Sequence, residues 1–487
     1  MGLFREDEVR FISSQILSLL LALTYRIVPN QFKHEFNCLS GLLLLYLSFG
    51  DQVFLSIAYT MVSYILYIII RREYIQWVSL VTSLGFLSYI HLNRQIYDDE
   101  IYVLDISGSC MVSVQKVTSL AFSFADGRFV DIGNCRTSTK RRAPERVGEP
   151  NGIAEVRRSS PRLSQEIGAI NPDVADTGTI TNESFSEVVD KILSEEQRKF
   201  ATKDVPNPIE YLSYIYHFPS VLCGPLTCFK DYVEFVNSPK VHDNHGLTRE
   251  IFKKVAISVL CAIIYLVVSP YVDVKFLKSK NFLVDTHILK RFFLIIVITT
   301  FVRFKYYIAW YSSDAIINAC GFGFNGYDQS GRPKWDLATN VDFGFETSLN
   351  VREATQRWNK MTHLWLKRLV HHRIPKKVSI LVIYLLSAVW HGFYPGYYMT
   401  FLSGALFTYA ATNGRRLIRP LFQRGQVLPM LYDFLTFILT RITIAYIAFP
   451  FVILDFHNNF EIYKSLYFSL HIVGIVGVLL GYVGRGN

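Results

Sequence analysis

A histidine stands where a long apolar segment meets a helix-breaking sequence. Residues 378–389 are almost wholly apolar and lead into Trp390 and His391, after which Pro395 and Gly396 interrupt the pattern. A histidine at membrane depth is costly unless it meets water, a partner or a substrate. Broken backbone at that depth is tolerated only beside protein or a watery cavity. We therefore predict that His391 lines such a cavity, where a neutral imidazole can act as a general base.

A second polar residue precedes this histidine at a suggestive distance. Asn359 lies 15 residues before Ile374, and His391 lies 16 residues after Pro375, which predicts a break between two helices. At about 1.5 Å per residue each arm is about 22–24 Å long, so a hairpin would bring Asn359 and His391 to similar depth. If the first arm lies flat at the membrane surface, this argument fails. An asparagine amide can stabilise an oxyanion or orient an acceptor hydroxyl.

The arm that contains Asn359, residues 357–373, is predicted to be one amphipathic helix. Met361, Trp365 and Leu369 form an apolar stripe at four-residue spacing, and the cations fall largely on another side. Such a helix lies at the membrane surface or edges a polar chamber. Its cations suit phosphate groups, and the aromatic residues beside His391 suit an apolar chain. The candidate binding residues are Trp358, Trp390, Tyr397, Lys360, Lys367 and Arg368.

Each of these residues also has a structural interpretation. Taken alone, a histidine in a membrane helix is more often structural or part of an ion path than catalytic. An asparagine such as Asn359 often hydrogen-bonds between packed membrane helices. His363, His371 and His372 lie on the basic amphipathic segment and are expected to be solvated.

Membrane helices are the elements that would position these groups. The chain has 487 residues, of which 51% are hydrophobic and only 18% charged, against roughly 25% charged in a soluble domain. Crossing the hydrocarbon core takes about 20 apolar residues, and no alternating pattern supports a barrel. The sequence predicts an all-α, polytopic membrane protein with about nine to eleven transmembrane or re-entrant helices. The longer candidates are 11–28, 53–70, 75–92, 251–272, 291–310, 432–454 and 466–483, and the shorter or broken ones are 39–49, 211–223, 378–391 and 399–411.

A polar stretch divides the chain. Residues 131–200 are rich in Ser, Thr, Pro and charge and predict a disordered loop, whose basic cluster at 140–142 favours the cytosolic side. N-terminal membrane helices, residues 1–130, precede this loop, and the catalytic core with the C-terminal membrane helices, residues 201–487, follows it. Residues 111–124 are expected to form a short helix in the interface or inside the bundle.

Charge and missing motifs argue against several function classes. The formal net charge is +10, but the basic residues flank apolar runs, so no nucleic-acid partner is expected. The seven cysteines are widely spaced and form no CxxC pair, and HExxH is absent, so neither a metal site nor a disulfide framework is expected. Without a GxSxG elbow or a Walker loop, the serine hydrolase and nucleotidase interpretations lose their usual support. No internal repeat supports a transporter.

Several segments together resemble the membrane-bound O-acyltransferase (MBOAT) family. Trp358-Asn359 and residues 387–398, which contain Trp390-His391-Gly392, are similar to the family signature. Residues 462–472 are similar to the subgroup that acts on lysophosphatidylethanolamine and lysophosphatidylserine. The segments that resemble the lysophospholipid branch are 115–120, 126–127, 210–214, 219–225 and 230–232. The resemblance covers nearly the whole chain apart from the loop at 131–200.

The resemblance implies an all-helical fold around a central reaction chamber and a multi-pass enzyme of the endoplasmic reticulum membrane. Such an enzyme transfers a fatty acyl chain from acyl-CoA to the sn-2 hydroxyl of a lysophospholipid, namely lysophosphatidylethanolamine, lysophosphatidylserine or lysophosphatidylcholine. Acyl-CoA is then a co-substrate, with no cofactor and no metal. His391 matches the family histidine and is expected to act as the base, and Asn359 matches the family asparagine.

Two alternatives stay open: a protein or sterol O-acyltransferase of the same family, and a transporter or scaffold without chemistry. Headgroup preference, acyl-chain preference and oligomeric state also stay open. His371-His372 stand where relatives often carry a tyrosine-containing pair, and nothing in the sequence explains that departure.

Overall fold

The computed structural model describes residues 5–97, 104–140, 193–237, 246–371 and 373–483. Within these ranges the chain is helical and contains no β-strand, as predicted. The helices are α1 (Glu6–Tyr25), α2 (Lys33–Phe49), α3 (Val53–Ile69), α4 (Ile75–Tyr97), α5 (Ser107–Lys140), α6 (Glu195–Phe200), α7 (Pro208–Ile215), α8 (Phe229–Asn237), α9 (Leu247–Val268), α10 (Ile288–Cys320), α11 (Gly344–Thr347), α12 (Val351–Arg357), α13 (Lys360–Leu366), α14 (Lys376–His391), α15 (Pro395–Ile418), α16 (Val427–Ile453), α17 (Phe456–Ser465) and α18 (Ser469–Val483). Short 3₁₀ or π turns occupy Asn30–Phe32, Gly50–Gln52, Phe218–Ser220, Ser269–Tyr271, Val274–Lys278, Asn281–Asp285, Lys367–His371 and Arg419–Phe422.

Among the described residues, five helical segments are long and apolar enough to cross a membrane, or six if a bent pair counts as one span. The five are Asn30–Ile69, Ile75–Tyr97, Leu247–Tyr271, Ile288–Cys320 and Val427–Ile453. The bent pair joins Phe456–Ser465 to Ser469–Gly481 at 80°, and Val378–His391 is apolar but shorter. Fewer segments qualify than the nine to eleven expected, because that number included short and re-entrant helices. The protein is therefore a polytopic, all-α membrane protein.

Helix α5 lies at the centre of the described structure, and its residues 107–129 are buried on nearly every side. Lys116 on this helix has no exposed surface, and its ammonium donates to the carbonyls of Tyr214 and Ile215 at 3.0 Å each. Those carbonyls belong to the last turn of α7, where a helix runs out of backbone donors. The short helix expected at 111–124 is thus part of a longer helix inside the bundle.

The predicted loop at 131–200 is helical at both ends. Helix α5 continues to Lys140, and α6 begins at Glu195. Residues 141–192 lie outside the described residues, so their predicted disorder stays a prediction. A single hydrophobic cluster contains residues from both sides of this stretch, from Ala22 to Trp390, so the N-terminal helices and the predicted catalytic core share one interior.

The structure corrects two predicted helices. The candidate at 211–223 is not one helix, because α7 ends at Ile215 and a 3₁₀ turn follows at Phe218–Ser220. The candidate at 466–483 begins later, at Ser469, because Tyr467 and Phe468 have φ values of 56° and 49° that interrupt a right-handed helix.

Helices α14, α15, α16 and α18 of the C-terminal region run side by side, so this bundle has two ends. Tyr384 on α14 hydrogen-bonds Thr408 on α15 at 2.8 Å, and His391, later on α14, lies beside Tyr397, earlier on α15, so the two helices are antiparallel. Helix α16 is antiparallel to α15, because Tyr397 lies beside Phe451 and Phe407 lies beside Tyr446. Helix α18 is parallel to α15, because Gly474 lies beside Phe407 and Gly477 lies beside Ala410. His391 therefore lies at one end of these helices, which we call the histidine end. The opposite end, the basic end, contains Lys376, Arg415, Arg416, Arg419 and Arg424.

Candidate active site

His391 is the last residue of α14, and a glycine stops the helix immediately after it. Gly392 has a φ of 120°, and its N–H donates to the carbonyls of Ala388 and Val389. A Cβ at position 392 would lie only 3.2 Å from Cγ of His91, so a larger residue has neither the conformation nor the space. The sharp end of α14 at His391, predicted from sequence, is confirmed.

Aromatic rings from three helices surround the imidazole of His391. The centroid of Trp390 lies 4.7 Å away, that of Phe401 lies 5.2 Å away in a stacked arrangement, and those of Phe451 and Tyr397 lie at 4.9 and 5.7 Å. The ring of His391 is partly exposed, and no described residue hydrogen-bonds it. Its nitrogens are therefore available to a ligand in a largely apolar setting. Trp390 and Tyr397 lie at His391 as predicted.

Sequence reasoning missed His91, which contacts the same turn. The Nε2 atom of His91, on α4, lies 3.1 Å from the carbonyl oxygen of Trp390. The side chain is buried against Gly392, so it fixes the backbone that carries His391. The available signal was a second histidine within an apolar helix.

Asn359 lies at a break in the chain rather than inside a helix. The predicted single helix at 357–373 is broken at residues 358–359: α12 ends at Arg357, and α13, from Lys360 to Leu366, continues directly into a π turn at Lys367–His371. Asn359 itself has a φ of 48°, the left-handed region that asparagine tolerates better than most residues.

The side chain of Asn359 does not cap the helix that follows it. Asn340 instead caps the start of α13, where its Oδ1 accepts from the N–H of Met361 at 3.3 Å. The Oδ1 atom of Asn359 is buried and has no hydrogen-bond partner. An unpaired buried acceptor costs about 1–3 kcal/mol. Such an atom is a natural partner for a donor on a bound molecule.

The two arms of the predicted hairpin do fold against each other, but with a different register. Trp365 on α13 and Trp390 on α14 have ring centroids 5.7 Å apart. No hydrogen bond joins the side chains of Asn359 and His391, both of which are described. The prediction that Asn359 and His391 lie at the same depth is therefore not supported by a contact between the two side chains, and it stays a prediction.

Helix α5 holds both arms in place. Gln115 donates to Thr362 at 2.8 Å, and Thr118 accepts from the indole N–H of Trp365 at 2.9 Å. The indole N–H of Trp390 donates to the carbonyl of Met111 at 3.2 Å. The stripe of Met361, Trp365 and Leu369 is buried, so this arm packs its apolar face against the rest of the protein.

The predicted cationic residues are engaged within the protein. Lys367 and Arg368 pair with Glu196 on α6 at 3.0 and 3.1 Å, and Arg368 also reaches Sγ of Cys228 at 2.8 Å. Lys360 lies 4.0 Å from Asp342. Burial raises the pKa of Glu196, but the hydrogen bond from Lys367 and the charge of Arg368 outweigh it, so the pKa is lowered overall. A phosphate-binding role for these cations stays a prediction.

Arg368 also borders a narrow cavity of about 20 Å³ beside α5 and α6. Its other charged lining residues include Lys230, Arg373, Asp126 and Glu196. Arg373 and Asp126 form an ion pair at 2.7 Å, which ties the turn before α14 to α5. His371 lies in the adjoining π turn, and His372 lies outside the described residues.

Trp358 belongs to a second aromatic cluster. Its ring lies 4.9 Å from Trp310 and 4.9 Å from Phe345. Beside this cluster is an ionic group that sequence reasoning missed. Arg303 pairs with both oxygens of Glu346 at 2.9 Å, and Arg441 approaches the same carboxylate at 3.4 Å. The available signal was an arginine in the middle of each of two apolar helices, α10 and α16.

Comparison with known proteins places this geometry in context. Residues 86–449, well over half of the chain, match the model of MBOAT, the membrane-bound O-acyltransferase family. "Lysophospholipid acyltransferase 6" of Drosophila melanogaster is 36% identical over 97% of this chain. "Membrane-bound glycerophospholipid O-acyltransferase 2" of Mus musculus is 31% identical over 97% of this chain and 84% of its own length. "Lysophospholipid acyltransferase" of Schizosaccharomyces pombe is 28% identical over 84% of this chain and 72% of its own. The chain spans 61% of the length of the Drosophila relative.

Proposed function

The chain belongs to the membrane-bound O-acyltransferase family, and from that premise we propose that it is a lysophospholipid O-acyltransferase. In this proposal it transfers a fatty acyl chain from acyl-CoA to the free sn-2 hydroxyl of a lysophospholipid. The relatives in fly, mouse and fission yeast, whose names describe lysophospholipid or glycerophospholipid acyl transfer, support the substrate class.

The proposal rests on the partial exposure of His391 and on its lack of a hydrogen-bonding partner among the described residues. Its ring lies at a helix end, partly exposed among aromatic side chains, and no described residue hydrogen-bonds it. A general base needs a nitrogen within reach of the proton that it abstracts. The aromatic surroundings suit an acyl chain and exclude the water that would otherwise hydrolyse the thioester.

The proposed reaction needs few groups because a thioester is already activated. A ring nitrogen of His391 accepts the proton of the lysolipid hydroxyl while its oxygen attacks the thioester carbonyl carbon. The carbon–sulfur bond then breaks, the new ester remains, and the departing sulfur of CoA takes the proton from the imidazolium. The amide of Asn359 serves this reaction by donating from Nδ2 to the oxyanion or to the oxygen of the acceptor hydroxyl, which orients that hydroxyl, and its unpaired Oδ1 can accept from another donor on the bound substrate.

The same family resemblance supports further proposals about the residues that bind acyl-CoA, the cellular location and the acceptor lipids. Lys360, Lys367 and Arg368 are proposed to bind phosphates of acyl-CoA, which for the last two residues requires competition with Glu196. The proposed location is the endoplasmic reticulum membrane. The proposed acceptors are lysophosphatidylethanolamine, lysophosphatidylserine and lysophosphatidylcholine, with no cofactor or metal required.

The test is an acylation assay on purified protein in lipid nanodiscs. Oleoyl-CoA is supplied with each lysophospholipid in turn, and the diacyl product is quantified by mass spectrometry. The wild type should acylate at least one lysophospholipid, and His391→Ala should not. The matched control is His457→Ala, which removes an exposed histidine outside the site and should retain the wild-type rate.

The alternatives give different results in the same assay. A protein or sterol O-acyltransferase would acylate a peptide or sterol hydroxyl and leave every lysophospholipid unchanged. A transporter or scaffold would show no acyl transfer, and its flux or partner binding would survive His391→Ala. Equal activity in the wild type and His391→Ala would refute the assigned role of the histidine.

A further inference from the structure

A wide cleft lies at the basic end of the C-terminal helices, far along α15 from His391. It is a shallow, open depression of about 700 Å³ where α15 ends and the chain turns toward α16. Its lining residues are Thr412, Arg415, Arg416, Arg419, Pro420 and Gln423. The cleft takes no part in the proposed acyl transfer.

The cleft carries positive charge without a matching carboxylate. Its three arginines are exposed, and its other lining residues are neutral. Within the described part of the chain none of the three forms an ion pair, although Arg416 donates to the carbonyl of Gly481 at 3.1 Å. Asp433, the next carboxylate along the chain, makes no ion pair with them either. Uncompensated arginines at one site create an attractive potential for an anion.

Apolar side chains flank these arginines. Leu421 is 70% exposed and Val427 is 75% exposed, and Ile418 is 49% exposed. They lie at the junction of α15 with α16, a helix long and apolar enough to cross a membrane. Arginines beside exposed aliphatic side chains at such a junction match the boundary between lipid headgroups and acyl chains.

We propose that this cleft binds the headgroup of an anionic phospholipid, with its phosphate on Arg415 and Arg419 and its acyl chains against Leu421 and Val427. Arginine binds phosphate oxygens through two parallel donors, which gives the site geometric selectivity. A zwitterionic headgroup also carries an ammonium group, for which the lining offers no carboxylate, so an anionic lipid binds better. This site is separate from the proposed active site and does not depend on the proposed function.

The experiment measures lipid retention by native mass spectrometry of the purified full chain. The probes are phosphatidylglycerol and phosphatidylcholine with identical acyl chains, each added to delipidated protein in detergent. A basic residue at a membrane surface contributes about 1 kcal/mol toward anionic lipid, or about fivefold in affinity. The double variant Arg415→Gln/Arg419→Gln should therefore bind phosphatidylglycerol about 25-fold more weakly, with a smaller loss of phosphatidylcholine binding.

The matched control, Arg249→Gln/Lys290→Gln, removes the same charge from exposed positions outside the cleft and should bind phosphatidylglycerol like the wild type. Melting curves of all variants verify that each is folded. Equal retention of the two lipids by the wild type, or equal losses in both double variants, would refute the proposal. So would displacement of phosphatidylglycerol by soluble glycerol 3-phosphate at the same concentration, because the cleft would then hold a free phosphate without need of the acyl chains.

Discussion

Two histidines of the C-terminal helices lie among aromatic rings, yet their nitrogens are used differently. His471 on α18 has Nε2 at 3.0 Å from the hydroxyl of Ser403 and Nδ1 at 2.8 Å from the hydroxyl of Tyr446. His391 has comparable ring neighbours but no hydrogen-bonding partner among the described residues. Enclosure by aromatic rings therefore does not distinguish the two histidines, whereas the freedom of their ring nitrogens does.

A third histidine shows that free nitrogens are insufficient by themselves. His217 has both ring nitrogens buried without a hydrogen-bond partner, and its side chain has no exposed surface. It packs against Tyr232 and Phe322. No substrate reaches such a ring. Of these three residues, only His391 combines free nitrogens with partial exposure.

The sharpest test of this comparison removes each ring in turn. His391→Ala should lower kcat about a thousandfold, because a positioned general base contributes about 10²- to 10⁴-fold. His471→Phe should lower the free energy of unfolding by about 1–3 kcal/mol, since the hydroxyls of Ser403 and Tyr446 lose a buried partner. Its rate per folded molecule should change little. Initial rates and denaturation curves on both variants measure the two effects. A thousandfold rate loss in folded His471→Phe would contradict the different roles assigned to the two histidines.

A smaller effect is expected at His91, which we assign as a positioning residue. His91→Leu removes the contact with the Trp390 carbonyl and should lower kcat about tenfold with KM nearly unchanged, because the backbone before His391 loses its anchor. His91→Gln restores a side-chain donor and should recover most of the rate. Steady-state kinetics of both variants provide the measurement. Equal losses in the two variants, with a matching loss of stability, would indicate packing alone.

The smallest expected effect is a pH-dependent change in the free energy of unfolding at Glu196. The pKa of Glu196 is lowered in the folded state, so its pairing with Lys367 and Arg368 stabilises the fold above the ordinary carboxyl pKa of 4.5 and is lost as pH falls through the lower folded value. Relative to Glu196→Gln, the wild type should be more stable by about 1 kcal/mol near neutral pH, and this difference should vanish in acid. Denaturation at a series of pH values measures it. A difference that stays constant with pH would exclude the ionic origin.

Much of the fold was predictable from the apolar pattern. Apolar segments of membrane length must be helical in lipid, so the helices that became α3, α4, α9, α10 and α16 followed from composition and length. The break predicted after His391 is present, although Gly392 ends α14 and the predicted breakers Pro395 and Gly396 begin α15. The continuous helix at 357–373 was wrong, because an amphipathic pattern does not register the left-handed backbone at Asn359.

The chain by itself determined that this is a helical membrane protein with a histidine at a helix end and an asparagine one helix earlier. Those features depend on local pattern and on the requirement that backbone groups be satisfied in lipid. Tertiary structure decided which nitrogens stay free, since partners such as Ser403 and Tyr446 come from other helices. It also decided that α5 anchors both arms of the site and that Glu346 meets Arg303 and Arg441. Contacts between residues distant in sequence leave no periodic trace in the sequence, so only packing reveals them.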